Sequence, residues 1–396
     1  MSLYGRILRS PRVAVLILAT TLSRLPFAIN GLAILLFLRA ETGSFAIAGL
    51  TTGALALGGG LASPFVARLV DRRGLNVLMP LAFIYAAAIL GLWALGEAGA
   101  PTPLLAAVAF VAGTAFPPTG AVLRSRWPEL LRDEELVRGA YAFDSAMIEV
   151  SFVSGPLIVA GIVAVLSPQA ALALSAALQI IGTALFIWKL PGSRVPEPQA
   201  GTSGLLGALA SPAIRMIALT TLPVGFCIGA VEVAIPAFSE AQGSTELSGV
   251  LLALWSLSSG IGGLAFGLRG LRGGLVETYL LIALLFPLAS LPLMAASSPV
   301  AMAGLVVLSG APIAPMIASR NELVAAVAPD GTGAEAFTWL MTSLVAGLAA
   351  GAAVGGVAIE AEGWQAAVLV GAVAASLGTL IALLRRDALR PAVVPA

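Results

Sequence analysis

Long apolar runs alternate with short polar segments throughout this chain of 396 residues. A helix that crosses the hydrocarbon core of a bilayer needs about 20 apolar residues, and twelve runs come close to that length or exceed it. By residue number they are 13–38, 45–70, 75–95, 104–123, 140–166, 170–190, 212–238, 247–268, 275–296, 300–318, 337–359 and 364–384. The pattern predicts an all-α membrane protein with twelve transmembrane helices. The first run is too long for the core of a signal peptide, so we expect it to be retained as a helix.

The composition agrees with lipid as the main solvent of the chain. Charged residues make up 10% of the sequence, whereas soluble domains carry roughly 25%. The net charge of +1 does not indicate a nucleic-acid partner. There is no histidine and one cysteine, Cys227, so an internal disulfide is impossible and we expect neither a metal site nor a cofactor. The sequence shows no paired catalytic residues and no Gly-Lys-Ser/Thr phosphate-binding run, which argues against an enzyme and against an ATP-driven pump.

The basic residues fall on one side of the predicted membrane. Positively charged loops remain in the cytoplasm, and of the 21 basic residues only Arg39 lies at the opposite side and only Arg24 lies inside a helix. All basic residues except Lys189 are arginine, which is typical of a GC-rich bacterial gene. We therefore expect a multi-pass protein of the bacterial cytoplasmic (inner) membrane with both termini in the cytoplasm.

The two halves of the chain resemble each other at an offset of 196 to 197 residues (365 − 169 and 222 − 25). Internal duplication is common in transporters, so we expect two six-helix bundles related by pseudo-two-fold symmetry around a cavity. A Pro-, Gly- and Ser-rich segment separates them. The predicted domains are an N-terminal bundle at 1–190, a cytoplasmic linker at 191–211 and a C-terminal bundle at 212–396. The matched positions are Leu25-Pro26 with Leu222-Pro223, Gly113 with Gly310, Pro118 with Pro315, and Gln169-Ala170-Ala171 with Gln365-Ala366-Ala367.

A basic motif stands at the end of the second predicted helix: Ala67-Arg68-Leu69-Val70-Asp71-Arg72-Arg73-Gly74. It resembles the loop signature of the major facilitator superfamily, although Ala67 stands at the family's opening glycine and Leu75 and Asn76 replace its trailing basic residues. The resemblance implies a transporter in which two bundles rock about a central site.

This loop is also a candidate gate, because a carboxylate among arginines can form charge-assisted bonds that hold one conformation and break in the other. The alternative is a basic turn that only fixes the topology. The predicted cytoplasmic gate comprises Asp71, Arg72, Arg73, Gly74, Arg124 and Arg126.

The fifth predicted helix carries Ser154-Gly155-Pro156 and Ala160-Gly161, similar to the Gly-Pro signature of the superfamily's exporters. Small residues also allow close helix packing, which is an equally good explanation. The arginine that exporters carry within the fourth helix is absent, and Pro117-Pro118 lies there instead. The pattern is closest to bacterial drug:proton antiporters, which implies antiport and efflux coupled to protons.

Charged residues inside the membrane are candidate site residues, because each costs roughly 2.5 to 3.5 kcal/mol at mid-bilayer. Arg24 in the first helix and Glu149 in the fifth both fall near mid-depth, so we predict that they pair, as a functional unit or as a purely structural ion pair. Asp144 is rotated by about 140° from Glu149, so we expect it to face a different wall. Glu149 is the first choice as proton carrier and Asp144 the second.

Three further residues complete the predicted substrate cavity of Arg24 and Glu149. Glu232 lies toward the outer end of the seventh helix, where it is either an external gate or a carboxylate that reaches the membrane interface. Asn30 lies more than a turn beyond Arg24, and Trp255 lies well inside the eighth helix.

These features predict a secondary active transporter that works by alternating access, as a proton-coupled exporter of small apolar or amphipathic compounds. The alternative is an uptake permease for a small anionic metabolite bound by Arg24. The expected partners are a small-molecule substrate, protons and membrane lipid, with no nucleic acid, and we expect a monomer.

Overall fold

The computed structural model describes residues 11–131, 133–190, 207–269, 274–329 and 332–389, and this part of the chain contains helices but no strand. Within these residues, twelve spans are long and apolar enough to cross a membrane, as predicted. Their helices are α1 Pro11–Thr42, α2 Phe45–Arg73, α3 Leu78–Glu97, α4 Thr102–Thr114 and Thr119–Leu130, α5 Glu134–Val165, α6 Pro168–Lys189, α7 Pro212–Ala241, α8 Leu247–Arg269, α9 Leu275–Ser290, α10 Pro299–Gly310 and Ile313–Val327, α11 Gly333–Glu362 and α12 Trp364–Leu384.

Two helices are broken in the middle, at equivalent places. The break in α4 contains Pro117 and Pro118, and the break in α10 ends at Pro312. Proline has no N–H to donate and clashes with the preceding turn, so it interrupts an α-helix. The second segment of α4 therefore begins anew at Thr119, next to α1.

The packing of the helices repeats between the two halves. Helix α1 packs against α5 and α6 as α7 packs against α11 and α12, α2 packs against α4 as α8 packs against α10, and α3 packs against α6 as α9 packs against α12. The main contacts between the halves are α2 with α11 and α5 with α8, which are also equivalent. This correspondence agrees with the predicted pseudo-two-fold symmetry. Most of the predicted linker, residues 191–206, lies outside the described residues.

The two membrane faces differ in charge. We call the face where α1 begins and α2 ends the basic face, because Arg12, Arg72 and Arg73 lie there, and the other face the opposite face. Helix α2 runs from the opposite face to the basic face, whereas α5 and α11 run from the basic face to the opposite face.

The halves touch closely near the opposite face. The Cβ position at Gly53 lies 2.6 Å from the carbonyl oxygen of Ala349 in α11, and the Cβ position at Gly49 meets the carbonyl oxygen of Ala352. On the other side of the interface, the Cβ position at Gly249 of α8 meets the carbonyl oxygen of Pro156 in α5. Glycine is needed at these positions because the helix backbones touch.

An ion pair joins the halves at the same face. Nη2 of Arg39, at the end of α1, lies 2.7 Å from Oε1 of Glu240 at the end of α7. The Arg39 guanidinium also lies 4.5 Å from the centre of the Phe45 ring. Together with the glycine contacts, this pair closes the gap between the halves at the opposite face.

Candidate functional site

A cluster of three charged side chains lies between α1, α4 and α5. The Asp144 carboxylate accepts hydrogen bonds from Nη1 of Arg24 and, at 3.2 Å, from its Nη2. Nε of Arg124 donates to Oδ2 of Asp144 at 2.5 Å. The side chains of Asp144 and Arg24 are 5% and 15% exposed, whereas that of Arg124 is 41% exposed. The cluster therefore has two arginines for one carboxylate, and the more exposed arginine is Arg124.

The predicted Arg24–Glu149 pair is wrong, because Arg24 binds Asp144 instead. The two acidic residues point in different directions, as predicted, but Asp144 and not Glu149 faces α1. Gly155 is eleven residues beyond Asp144, on nearly the same face of α5, and it packs against Ala28 of α1. The Asp144 face of α5 is thus the face that meets α1, and Glu149 is turned away from α1.

Two residues that the sequence analysis did not single out position the cluster. The Cβ position at Gly120 lies 2.5 Å from Nε of Arg24 and 2.7 Å from its Cζ, so a side chain there would displace the guanidinium. The hydroxyl of Tyr141 donates to the backbone carbonyl of Arg124 at 3.1 Å and ties α5 to α4. Nothing in the sequence pattern pointed to Gly120, which becomes a neighbour of Arg24 only because α4 restarts at Thr119.

Glu149 faces the other half of the protein. Its Oε2 lies 3.6 Å from the Cβ position of Gly260 in α8. The residue is exposed, and it makes no hydrogen bond or ion pair with any residue that the structure describes. Glu149 is therefore an accessible, uncompensated carboxylate at mid-depth between the halves.

Aromatic rings line the same region. Phe27 of α1 contacts Phe116, at the break in α4, and Phe152 of α5, each at 6.0 Å between ring centres and edge to face. Phe27 and Phe152 are 48% and 40% exposed, although they face neighbouring helices of their own half. The exposed ring surface forms an apolar aromatic wall, with Phe152 one turn from Glu149 along α5.

Asn30 and Trp255, which were predicted to line the substrate cavity, are both buried within their own halves. Asn30 is fully buried, and its Nδ2 donates to the hydroxyl of Tyr85, which lies 3.0 Å from Oγ of Ser175. Trp255 is 4% exposed and packs against Gly310 of α10. Both side chains are polar in part, and periodicity alone could not distinguish a cavity wall from a buried contact within one half.

Glu232 lies on α7, nine residues before the helix ends at the opposite face, which agrees with its predicted position toward the outer end of the helix. It is partly buried, and it makes no ion pair or hydrogen bond within the described residues. It thus provides a second uncompensated carboxylate, in the C-terminal half.

The predicted gate residues lie in three different places. Gly74 ends α2 with a φ of 74°, and its N–H donates to the carbonyl of Val70 at 2.7 Å. Arg72 and Arg73 are exposed at the basic face, whereas the side chain of Asp71 lies outside the described residues. Of the two residues from α4, Arg124 is part of the charge cluster, and Arg126 is buried and pairs with Glu129 at 2.9 Å, within its own helix.

Comparison with known proteins identifies the family of this fold. The family sequence model of the Major Facilitator Superfamily matches residues 16–272 of this chain. The chain belongs to this superfamily. A relative from Sinorhizobium fredii, the uncharacterized MFS-type transporter y4rN, is 31% identical over 281 residues, which cover 67% of this chain and 68% of the relative. Membership makes the protein a multi-pass membrane transporter and not an enzyme.

Solved structures share the superfamily fold with this chain. The nucleoside transporter NupG aligns with a TM-score of 0.73 and 17% identity, over 95% of this chain and 99% of its own. A bacterial homologue of the iron transporter ferroportin, in an inward-facing state, aligns with a TM-score of 0.73 and 15% identity, over 94% and 97%. An autoinhibited peptide transporter of the POT family has a TM-score of 0.68 and 15% identity, over 98% and 99%. At sequence identities of 15 to 17%, the similarity to these structures shows a shared fold.

Proposed function

We propose that this superfamily member exports small apolar or amphipathic compounds in exchange for protons, by alternating access. The observation that carries the proposal is Glu149, an accessible carboxylate without a cationic partner among the described residues, placed between the halves. The basic face is the cytoplasmic one, because positive helix ends stay in the cytoplasm of a bacterial inner membrane. The conformation with close contacts at the opposite face is then open toward the cytoplasm.

Glu149 is suited to carry the proton because no residue that the structure describes compensates its charge. A charged carboxylate that is closed off from water inside the membrane costs several kcal/mol. The protein therefore changes from one open conformation to the other more readily when Glu149 is protonated. Release of the proton on the other side completes the exchange. Glu232 offers a second carboxylate of this kind. We assign Asp144, whose oxygens both bind guanidinium groups, to holding the cluster together and not to proton transfer.

The aromatic wall supports the proposed substrate class. Phe27, Phe116 and Phe152 present apolar ring surface next to Glu149, and such surfaces bind apolar parts of ligands without demanding one geometry. The charged residues nearby would hold the polar end of an amphipathic compound.

One observation favours uptake of a small anionic metabolite as a second candidate function. The cluster of Arg24, Arg124 and Asp144 has an excess positive charge, and Arg124 is its exposed member. Because both Nη atoms of Arg24 already bind Asp144, an anion would bind through Arg124 and not through Arg24 as the sequence suggested.

The basic end of α2 is the proposed gate at the cytoplasmic face. It comprises Asp71, Arg72, Arg73 and the helix-ending Gly74, and the other end of α2 contacts α11. Closure at the cytoplasmic face would bring this end of α2 toward the start of α11.

Transport in liposomes tests the proton assignment. Purified protein is reconstituted with an internal pH indicator and an imposed pH gradient, and candidate lipophilic compounds and small organic anions are added in parallel. We expect Glu149→Gln to abolish gradient-driven flux while retaining substrate exchange, because the amide keeps the shape but cannot carry the proton. The matched control is Glu322→Gln, which changes an exposed glutamate in the second segment of α10. Gradient-driven flux at the wild-type rate in Glu149→Gln would contradict the assignment, and flux of anions alone would favour the second candidate.

A further inference from the structure

Helix α11 carries a carboxylate near each end of the side that it turns toward α2. Glu335 is in its first turn at the basic face, and Glu360 is in its last turn at the opposite face. The two residues are 25 apart, which is close to seven full turns of a helix. They therefore lie on one stripe of α11, about 37 Å apart along its axis.

Glu360 binds the start of α2 across the gap between the halves. Its Oε1 accepts hydrogen bonds from Oγ of Ser44 and, at 3.1 Å, from the backbone N–H of Ala46. Ser44 is itself the N-cap of α2 and accepts from the N–H of Ile47 at 3.1 Å. A carboxylate is favoured at a helix N-terminus, where N–H groups are unpaired and the helix dipole is positive. Glu360 thus helps to hold the opposite face closed.

Glu335 has no such partner in this conformation. Both of its carboxylate oxygens are buried, and neither forms a hydrogen bond with a residue that the structure describes. Buried polar atoms are nearly always paired in folded proteins, so the unpaired carboxylate of Glu335 requires an explanation.

Arg68 of α2 lies at about the same level of the interface between α2 and α11 as Glu335. It is exposed, and no ion pair joins it to a described residue. The antiparallel register of α2 and α11 locates its counterpart. In an antiparallel pair, each step forward along α2 is one step back along α11. Counting in this way from the contact of Gly53 with Ala349 places residue 68 opposite residue 334. Counting from the contact of Gly60 with Val345 places it opposite residue 337. Glu335 lies between these two positions.

We infer that α11 engages α2 alternately at its two ends. Glu360 binds the N-terminus of α2 when the opposite face is closed, and Glu335 binds Arg68 when the basic face is closed. Each carboxylate loses its partner as the other gains one, so the electrostatic cost of opening one face is offset at the other. The inference rests on the alternating access of the proposed function, but not on the substrate, the coupling ion or Glu149.

Disulfide formation across the basic ends of α2 and α11 measures the closed state at that face. The register places Ala67 opposite Thr338, so Ala67→Cys and Thr338→Cys are introduced together in a Cys227→Ala background, which removes the only native cysteine. The initial rate of oxidative cross-linking is then followed in membranes without substrate or gradient.

We expect Glu335→Gln and Arg68→Gln each to lower that rate about three- to fivefold, the size of a partly exposed ion pair. The double variant should be no slower than either single variant, and the exchanged pair Glu335→Arg with Arg68→Glu should return to within about twofold of the starting rate. Glu360→Gln should raise the rate, because it weakens closure at the opposite face. Glu322→Gln is the control and should leave the rate unchanged.

Additive effects of the two single variants, or a Glu335→Gln rate equal to that of the control, would overturn the inference. The exchanged pair guards against misfolding, because a general loss of structure would not be repaired by reversing both charges. Failure of the proposed proton coupling would not change these rates, since no gradient is present.

Discussion

The charge cluster predicts an unusual order of stability losses. In Asp144→Asn, the only carboxylate of the cluster is lost and both guanidinium groups lose their ionic partner. The side chain of Arg24 is 15% exposed, so leaving it unpaired costs about 3 kcal/mol, at the low end for a broken buried pair. Arg124 is 41% exposed, and solvent reduces its share to about 0.5 to 1 kcal/mol. We expect a total loss of about 3.5 to 4 kcal/mol by addition of these two terms.

Removing either arginine should cost less, because the other one still binds Asp144. Arg24→Gln leaves the 2.5 Å contact with Arg124, and Arg124→Gln leaves the bidentate contact with Arg24. We therefore expect Asp144→Asn to destabilise the protein most, Arg24→Gln less and Arg124→Gln least. The double variant of Arg24→Gln with Asp144→Asn should be more stable than Asp144→Asn alone, because the less exposed arginine is then no longer left charged without a partner.

The native thiol provides the assay. Cys227 is fully buried in α7, so a fluorogenic maleimide reacts with it only as the protein unfolds, and the midpoint of a heating scan gives an apparent Tm in detergent. At roughly 2 °C per kcal/mol, Asp144→Asn should lower the Tm by about 7 °C and Arg124→Gln by about 2 °C or less. Glu322→Gln is the control. An Asp144→Asn protein that unfolds with the control, or an Arg124→Gln protein that unfolds first, would refute this account of the cluster.

Two glycine substitutions test the close approaches described above. Gly120→Ala should push the Arg24 guanidinium away from Asp144, because the added Cβ would lie 2.5 Å from Nε. Displacing a partly buried side chain costs roughly 1 to 2 kcal/mol, so we expect the Tm to fall by about 2 to 4 °C. An unchanged Tm would mean that the Arg24 side chain has room to move. Gly53→Ala should force α2 from the carbonyl of Ala349 and open the opposite face, so a membrane-impermeant thiol reagent added from that side should label a cysteine at Ala352 faster. Gly91→Ala, where a Cβ meets nothing within 4 Å, is the control for both, and equal labelling in Gly53→Ala and Gly91→Ala would show that the backbone contact does not hold the face closed.

Several features of the site followed from sequence because they depend on energies that hold for any membrane protein. Arg24, Asp144 and Glu149 stood out because charge inside the bilayer is costly, and all three lie between helices in the structure. Asn30 and Trp255 were misplaced because a polar side chain within an apolar helix is equally compatible with a cavity wall and with a buried contact. Arg126 was assigned to the gate from its depth alone, and depth could not reveal its ion pair with Glu129, one turn away on the same helix.

The sequence by itself determined the number and approximate ends of the spanning helices, the charge asymmetry between the faces and the family, since apolar length, loop charge and a loop signature are local properties of the chain. The tertiary structure decided which charges meet. Asp144 and Glu149 differ by about 140° around α5, and only the direction in which α5 packs against α1 and α8 determines which of them reaches Arg24. That Glu335 has no partner among the described residues likewise depends on how α2 and α11 pack along their whole length, which the contacts of the whole fold set.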